Sequence, residues 1–182
     1  MDQPFINQHG DLIARCREGD REAHYRLYKL YSKAMYNVGF RITGNDADAE
    51  DALQEAFISA FHNLHLYRAD AAFGAWLKRI VVNKAINVVK KRRHELIPED
   101  DQWDVAQPED PTPYREELTV DKVRQAVDRL PDGYRAVLSL YLLEGYDHEE
   151  IAGILGITES TSKSQLNRAK TKLKEILNTT KP

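Results

Sequence analysis

Residues 95 to 117 constrain the fold more than any other part of this 182-residue chain. The segment holds nine acidic residues (Glu95, Glu99, Asp100, Asp101, Asp104, Glu109, Asp110, Glu116 and Glu117) against one basic residue, Arg115. It also carries four of the seven prolines: Pro98, Pro108, Pro111 and Pro113. Proline lacks the amide a helix needs, and crowded like charges repel, so the stretch can neither continue a helix nor bury a core. It reads as an extended tether over 96–117 between two folding units, 5–95 and 118–179.

Helical patterning fills both sides of the tether. Gly19-Asp20 opens a helix, with Asp20 as its N-cap and Leu27, Leu30, Ala34 and Val38 at helical spacing. Gly44-Asn45 breaks it, and a second helix runs from Asp46 to Leu64 with Ala49, Ala52, Leu53, Ala56, Phe57, Ala60 and Phe61 on one face. Residues 65–72 read as a loop, and Asp70 is placed to cap a long helix from Ala71 to Arg93. Beyond the tether, Val120–Leu130 and Tyr134–Leu143 read as helices around a Pro131-Asp132-Gly133 turn. No stretch sustains two-residue alternation. The expectation is therefore an all-α chain of two small helical domains joined by an acidic, proline-containing linker.

The last third is the most specific part. Asp147-His148-Glu149-Glu150-Ile151-Ala152-Gly153-Ile154-Leu155-Gly156-Ile157 gives a short helix, with Ala152 at the close-packing point and Gly156 at a turn four residues on. A basic helix over 158–177 follows, which is the pattern of a helix-turn-helix whose second helix enters the DNA major groove. At about 100° per residue, Leu166, Ala169, Leu173, Ile176 and Leu177 form an apolar stripe. Ser160, Thr161, Ser164, Asn167, Arg168 and Thr171 lie opposite, with Lys163 flanking. Those side chains suit phosphate oxygens and base edges. An isolated helix with this face is simply solvated; the preceding turn and short helix favour the DNA reading.

A second stripe lies on the long helix before the tether. Leu77, Val81, Ala85 and Val88 define a buried side, and Trp76, Arg79, Asn83, Asn87 and Lys90 fall roughly opposite. Trp76 there either stacks on an exposed base or packs with Phe73 beneath the preceding loop. The helix that starts at Asp46 is acidic, with Asp46, Asp48, Glu50, Asp51 and Glu55. That face suits a protein partner, or is a solvated face whose acids favour a helix N-terminus.

Charge is segregated along the chain. The net charge of −3 argues against a nucleic-acid binder, but its distribution does not. Lys84, Lys90, Lys91, Arg92 and Arg93 cluster before the tether with no acid among residues 84–93. From residue 159 onward, Lys163, Arg168, Lys170, Lys172, Lys174 and Lys181 outnumber Glu159 and Glu175. Screening acts over roughly 8 Å at physiological salt, so both patches stay locally positive.

Other functions find little support in the residues. Hydrophobic residues at 42% allow cores, but no apolar run is long enough to span a membrane, so no membrane insertion is expected. The first residues lack the basic start and apolar stretch of a signal peptide, and Cys16 is the only cysteine. The expectation is a cytoplasmic chain without a disulfide, metal or cofactor. His148-Glu149-Glu150-Ile151-Ala152 lacks the second histidine of a zinc protease, and neither a phosphate-loop nor a dinucleotide glycine pattern occurs. No catalytic residue is assigned, and the chain is not expected to be an enzyme.

Taken in order, the motifs resemble a bacterial RNA polymerase sigma factor of the extracytoplasmic-function (ECF) class, over nearly the whole chain. The residues that carry the resemblance are Asp48-Ala-Glu-Asp-Ala-Leu-Gln-Glu-Ala-Phe57, Phe73-Gly-Ala-Trp-Leu-Lys-Arg-Ile80 with Asn83, Leu130-Pro-Asp-Gly-Tyr-Arg135, and Glu149-Glu-Ile-Ala-Gly-Ile-Leu155 through Arg168-Ala-Lys170.

The resemblance implies a region 2 domain that binds the polymerase clamp through Asp51, Gln54 and Glu55 and melts the minus-ten element. The melted strand would meet Asn63, Tyr67, Arg68, Phe73, Trp76, Arg79, Asn83, Asn87 and Lys90. It also implies a region 4 domain reading the minus-thirty-five element through Ser160, Thr161, Lys163, Ser164, Gln165, Asn167, Arg168 and Thr171. Core RNA polymerase and promoter DNA are the implied partners, together with an anti-sigma factor, and the acidic tether would lie in the channel later used by RNA. The rival readings are a polymerase-independent helix-turn-helix regulator and a sigma mimic that binds regulators without reading DNA.

Two residues depart from the family pattern. Ser162 stands where an apolar residue is usual, and its hydroxyl is expected to bond back to a backbone carbonyl. Gln165 stands where arginine is frequent, which implies an altered minus-thirty-five preference.

Overall fold

Where each helix stops is set by a few residues that satisfy its end groups, and these divide the chain into eight α-helices among the residues that the computed structural model describes, 9–96 and 119–179. They are α1 (Gly10–Arg17), α2 (Arg21–Thr43), α3 (Asp46–His62), α4 (Phe73–Leu96), α5 (Val120–Asp128), α6 (Asp132–Leu138), α7 (His148–Leu155) and α8 (Glu159–Thr179). A 3-10 turn, Leu64–Leu66, follows α3, and a π-helical turn, Ser139–Leu143, extends α6. The described residues contain no strand. The chain separates into two compact units, with the division at Val88 and Val89 inside α4. The acidic segment read as a tether lies outside the described residues apart from its first two positions, which continue α4.

In the first unit, Asp20 caps α2 as expected, accepting the amides of Glu22 at 2.9 Å and Ala23 at 3.2 Å. Arg15 binds the same carboxylate and, with those amides, holds Asp20 below the usual aspartate range. At the α2–α3 corner, Gly44 takes the left-handed φ of 73° that its missing Cβ permits, and its amide reaches Phe40 O at 2.8 Å. Asn45 then accepts the Asp48 amide and starts α3. Gly39 faces Ala49 across the seam between the two helices, where an added Cβ would sit in ordinary contact, 3.5 Å from the Ala49 carbonyl oxygen. Ala49, Ala52, Ala56 and Ala60 are fully buried along that seam.

Three expectations for α2 and α4 need correction. Leu30 and Ala34 are exposed; the buried stripe of α2 is Ala23, Leu27, Met35, Val38 and Ile42, with Tyr31 half-buried between. Further on, α4 begins at Phe73 rather than Ala71. The Ala72 carbonyl accepts the amides of Ala75 and Trp76, so Ala72, not Asp70, stands at the entry. The buried side of α4 is also wider than periodicity suggested: Val82, Ile86 and Val89 join Leu77, Val81 and Ala85, while Val88 is only half-buried.

In the second unit, Thr119 caps α5 by accepting the Lys122 amide. Pro131 does not begin a Pro-Asp-Gly turn. It is the N-cap of α6, and Asp132 and Gly133 are already helical. The turn lies one step earlier and is closed by Arg135, which is 4% exposed. Its Nη1 donates to Leu130 O at 2.8 Å and Asp128 O at 3.3 Å, and its Nη2 donates to Asp132 Oδ1. Asp147 and Glu150 form a reciprocal capping box that starts α7. Gly156, at φ 72°, ends it, with Ala152 O accepting the amides of Gly156 and Ile157. Thr158 Oγ1 accepts the Thr161 amide at 3.0 Å and launches α8.

Replacing Arg135 with methionine keeps the buried volume but leaves those carbonyls without a donor, at a cost of about 3 kcal/mol. Amides of α5 and α6 should then exchange with solvent roughly a hundredfold faster. Unchanged exchange in native-state hydrogen-exchange measurements would refute this role for the guanidinium.

Candidate nucleic-acid interface

Three surfaces carry the side chains singled out from sequence. The first is the loop between α3 and α4 with the adjoining face of α4. Asn63 is half-buried and donates from Nδ2 to Ser59 O at 2.9 Å, closing the end of α3. Arg68 is exposed. Tyr67 and Phe73, expected among the strand-capturing residues, are each 2% exposed. As folded they support the surface and do not form it. Their rings meet edge to face at 5.4 Å, and Phe73 also packs edge-on to Tyr31 at 5.3 Å. Burial raises the Tyr67 phenol above its ordinary value, and its hydroxyl donates to Ala71 O at 2.7 Å.

Trp76 sits at the edge of this aromatic group, half-buried, 5.4 Å from Tyr67 and 5.6 Å from Phe73 between ring centres. The packing of Trp76 against Phe73 is therefore observed, and its half-buried ring keeps part of its surface accessible. From it, Arg79, Asn83, Asn87 and Lys90 run along α4 as an exposed row.

One residue that the sequence reading did not single out positions the loop. Arg17, at the end of α1, donates from Nη2 to Tyr67 O and from Nε to Leu64 O at 3.4 Å. These partners lie 50 and 47 residues away, so no local pattern pointed to the contact. Ala69, within the loop, holds a left-handed φ of 60°.

The second surface is the outer face of α3. Asp51, Gln54 and Glu55 are exposed, and Ile58 extends the same face at 70% exposure. Lys84 approaches Glu55 at 3.4 Å. Ile58 went unnoticed in the sequence; its signal was an apolar residue outside the buried stripe.

The third surface is α8. Leu166 and Ala169 are buried, and Leu173, Ile176 and Leu177 are half-buried, as the stripe implied. Ser160, Lys163, Ser164 and Asn167 are exposed; Thr161, Arg168 and Thr171 are half-buried. Gln165 departs from expectation. Its Oε1 is enclosed and takes no hydrogen bond among the described residues, so the amide oxygen does not reach outward as folded.

Ser162 is completely buried, and its hydroxyl lies 2.9 Å from His148 Nδ1. It bonds across to α7 instead of back to a carbonyl of its own helix. Among the described residues, no group of three or more His, Cys, Asp or Glu side chains converges to hold a metal ion, and no helix is long and apolar enough to cross a membrane.

A helix-turn-helix whose second helix carries an exposed polar and basic face is the architecture of a helical DNA-binding protein. Residues 27–95 match the Sigma-70 region 2 family and residues 121–173 match the Sigma-70 region 4 family. The chain is 34% identical over 157 residues to the ECF RNA polymerase sigma factor SigE of Mycolicibacterium smegmatis, covering 83% of this chain and 60% of the relative. It is 33% identical over 168 residues to the ECF sigma factor SigM of Mycobacterium tuberculosis, covering 92% and 83% respectively. In fold it is similar to the sigma factor RpoE solved with the anti-sigma factor NepR from Bartonella quintana, at a TM-score of 0.55 and 22% identity over 86% of this chain and 98% of that one. The chain belongs to the ECF class of RNA polymerase sigma factors. Sigma factors are initiation factors, and the chemistry of RNA synthesis is the polymerase's.

The Arg17 contact makes a direct prediction. Arg17→Met should loosen residues 63–72 and shift Trp76 emission to longer wavelength, read in a Trp103→Phe background because the chain has two tryptophans. Arg17→Lys should not rescue it, since a single ammonium cannot span two carbonyls as a guanidinium fork does. Wild-type emission from either variant would show that the loop is held by its aromatic packing alone.

Proposed function

We propose that the exposed row Arg79–Asn83–Asn87–Lys90, with Trp76 at its head, captures the unpaired minus-ten strand of a promoter while α8 reads the minus-thirty-five element, the chain acting with core RNA polymerase. The observation that carries this reading is the aromatic edge beside the row. A base leaving its stack loses a few kcal/mol, and stacking on an aromatic face returns about 1–3 kcal/mol. Arg68 and Asn63 border the same edge, and Tyr67 and Phe73 act from beneath it. On α8, Arg168, Lys163, Asn167, Thr171, Ser160, Thr161 and Ser164 are the DNA-facing set, and Gln165 joins them only if its side chain turns outward.

The outer face of α3, with Asp51, Gln54 and Glu55, is the polymerase-binding surface in this reading, and Ile58 supplies an apolar centre to it. Residues 5–95 and 118–179 work as domains and 96–117 as their tether. The protein acts in the cytoplasm, is not itself an enzyme, and is controlled by an anti-sigma factor. Support for that last partner is the fold shared with a sigma factor solved in such a complex.

Run-off transcription with purified core polymerase on genomic fragments tests the whole. New discrete transcripts should depend on the protein. Trp76→Ala should lower them about tenfold, the equivalent of one lost stacking contact, and Arg168→Ala should lower them at promoters that need a minus-thirty-five element. Asp51→Lys with Ile58→Asp should abolish them by preventing the complex with core. Footprinting of promoter duplex by the protein alone at physiological salt would instead favour a polymerase-independent regulator. A stable complex with core that yields no transcript would favour a mimic.

A further inference from the structure

We propose that His148 and Ser162 form a polar seat that fixes how α8 presents its first turns to DNA, and so act as positioning residues for minus-thirty-five specificity. The inference rests on the reading of α8 as the DNA-facing helix. Ser162 lies on the buried side of α8, in line with Leu166 and Ala169, and is the first of the three along the helix. Ser160, Lys163 and Ser164, immediately around it in sequence, occupy the exposed side. Base contacts in helix-turn-helix units come from the N-terminal part of the second helix. Whatever holds position 162 therefore governs the angle and depth of that part.

An apolar residue here would hold the helix by contact alone, which tolerates sliding and rotation. A buried hydroxyl behaves differently, because it must keep its hydrogen-bond partner. The partner is His148 Nδ1, 2.9 Å away. His148 is itself held on two sides. It is the first residue of α7, behind the capping box of Asp147 and Glu150. Its ring also stacks on Tyr141, with centres 4.6 Å apart and planes inclined by 22°. Tyr141 belongs to the π-helical turn, where the Glu144 amide reaches back to Ser139 O. The α8 helix is thus tied through one directional bond to a ring that α7 carries and that stacks on the π-helical turn.

The test uses the full chain with core polymerase, transcribing a pool of promoter duplexes randomised over the minus-thirty-five element, alongside a premelted template that needs no such element. Ser162→Ala and His148→Phe (which keeps the stack on Tyr141 but not the bond) should each flatten the preference among minus-thirty-five sequences about fivefold. The double variant should be no flatter than either single one, because both remove the same bond. His148→Asn places an amide near the position of Nδ1 and should restore the preference to within about twofold of wild type. Transcription from the premelted template should be unchanged throughout. The proposal is overturned if the preference stays sharp in the single variants, if the two losses add, or if yield falls by one common factor on every template. Arg168→Ala serves as the control: were it to leave duplex transcription untouched, the DNA-facing reading of α8 would fall, and this proposal with it.

Discussion

Two turns that follow helices in this protein are held by arginines that donate to backbone carbonyls at or just past the helix end. Arg17 spans the carbonyls of Leu64 and Tyr67, and Arg135 spans those of Asp128 and Leu130. A guanidinium suits this task because its donors are fixed in a planar fork, so one side chain sets the distance between two backbone points. In the first unit the consequence is a shaped loop under Tyr67 and Trp76. In the second it is the entry to α6, and through α6 the scaffold on which α8 packs.

That scaffolding explains how a chain with a net charge of −3 can present surfaces fit for DNA. Along α4, the apolar side from Phe73 to Val89 is buried, which leaves Arg79, Asn83 and Asn87 exposed, while Lys90 Nζ donates to Ile154 O at 3.4 Å. The acids of α3 lie on a separate face, with Asp51 and Glu55 beside the exposed Ile58. Opposite charges are thus sorted by helix face.

Helix limits governed by one or two neighbouring residues were legible in the sequence. Asp20 caps as its position implied, and the breaks read at Gly44-Asn45 and Gly156 fall where a left-handed glycine ends each helix; Asn45 and Asp147 cap by the same local chemistry. Legibility failed where distant contacts decide. Asp70 looked like a cap, yet the aromatic group of Tyr67, Phe73 and Trp76 sets the entry of α4 two residues later. Leu30 and Ala34 fit a helical stripe as well as Met35 and Val38 do, and only the position of α3 shows which stripe is inside. Tyr67 and Phe73 illustrate the same limit in the candidate site. Their residue type suits stacking on a base, but burial is a property of the fold. Ser162 is the instructive intermediate: a polar residue in an apolar stripe announced that a partner must exist, while the partner's identity, 14 residues away, required the structure.

The face of α8 proposed to meet DNA carries its own restraint on affinity. Several of its polar groups are already engaged within the helix or its cap. Lys163 pairs with Glu159 at 2.6 Å, Ser164 Oγ donates to Thr161 O, and Thr171 Oγ1 donates to Asn167 O. Contact with phosphate or base edges must exchange these partners for new ones. The exchange is not prohibitive, because both members of the ion pair are more than half exposed and such pairs contribute little. It does mean that each contact with DNA yields only a difference between two sets of bonds. An interface built this way discriminates between sequences without binding tightly, since a mismatched base leaves a group that has given up its internal partner unsatisfied. Tight binding must then come from elsewhere, and a polymerase carrying its own DNA contacts is the natural source.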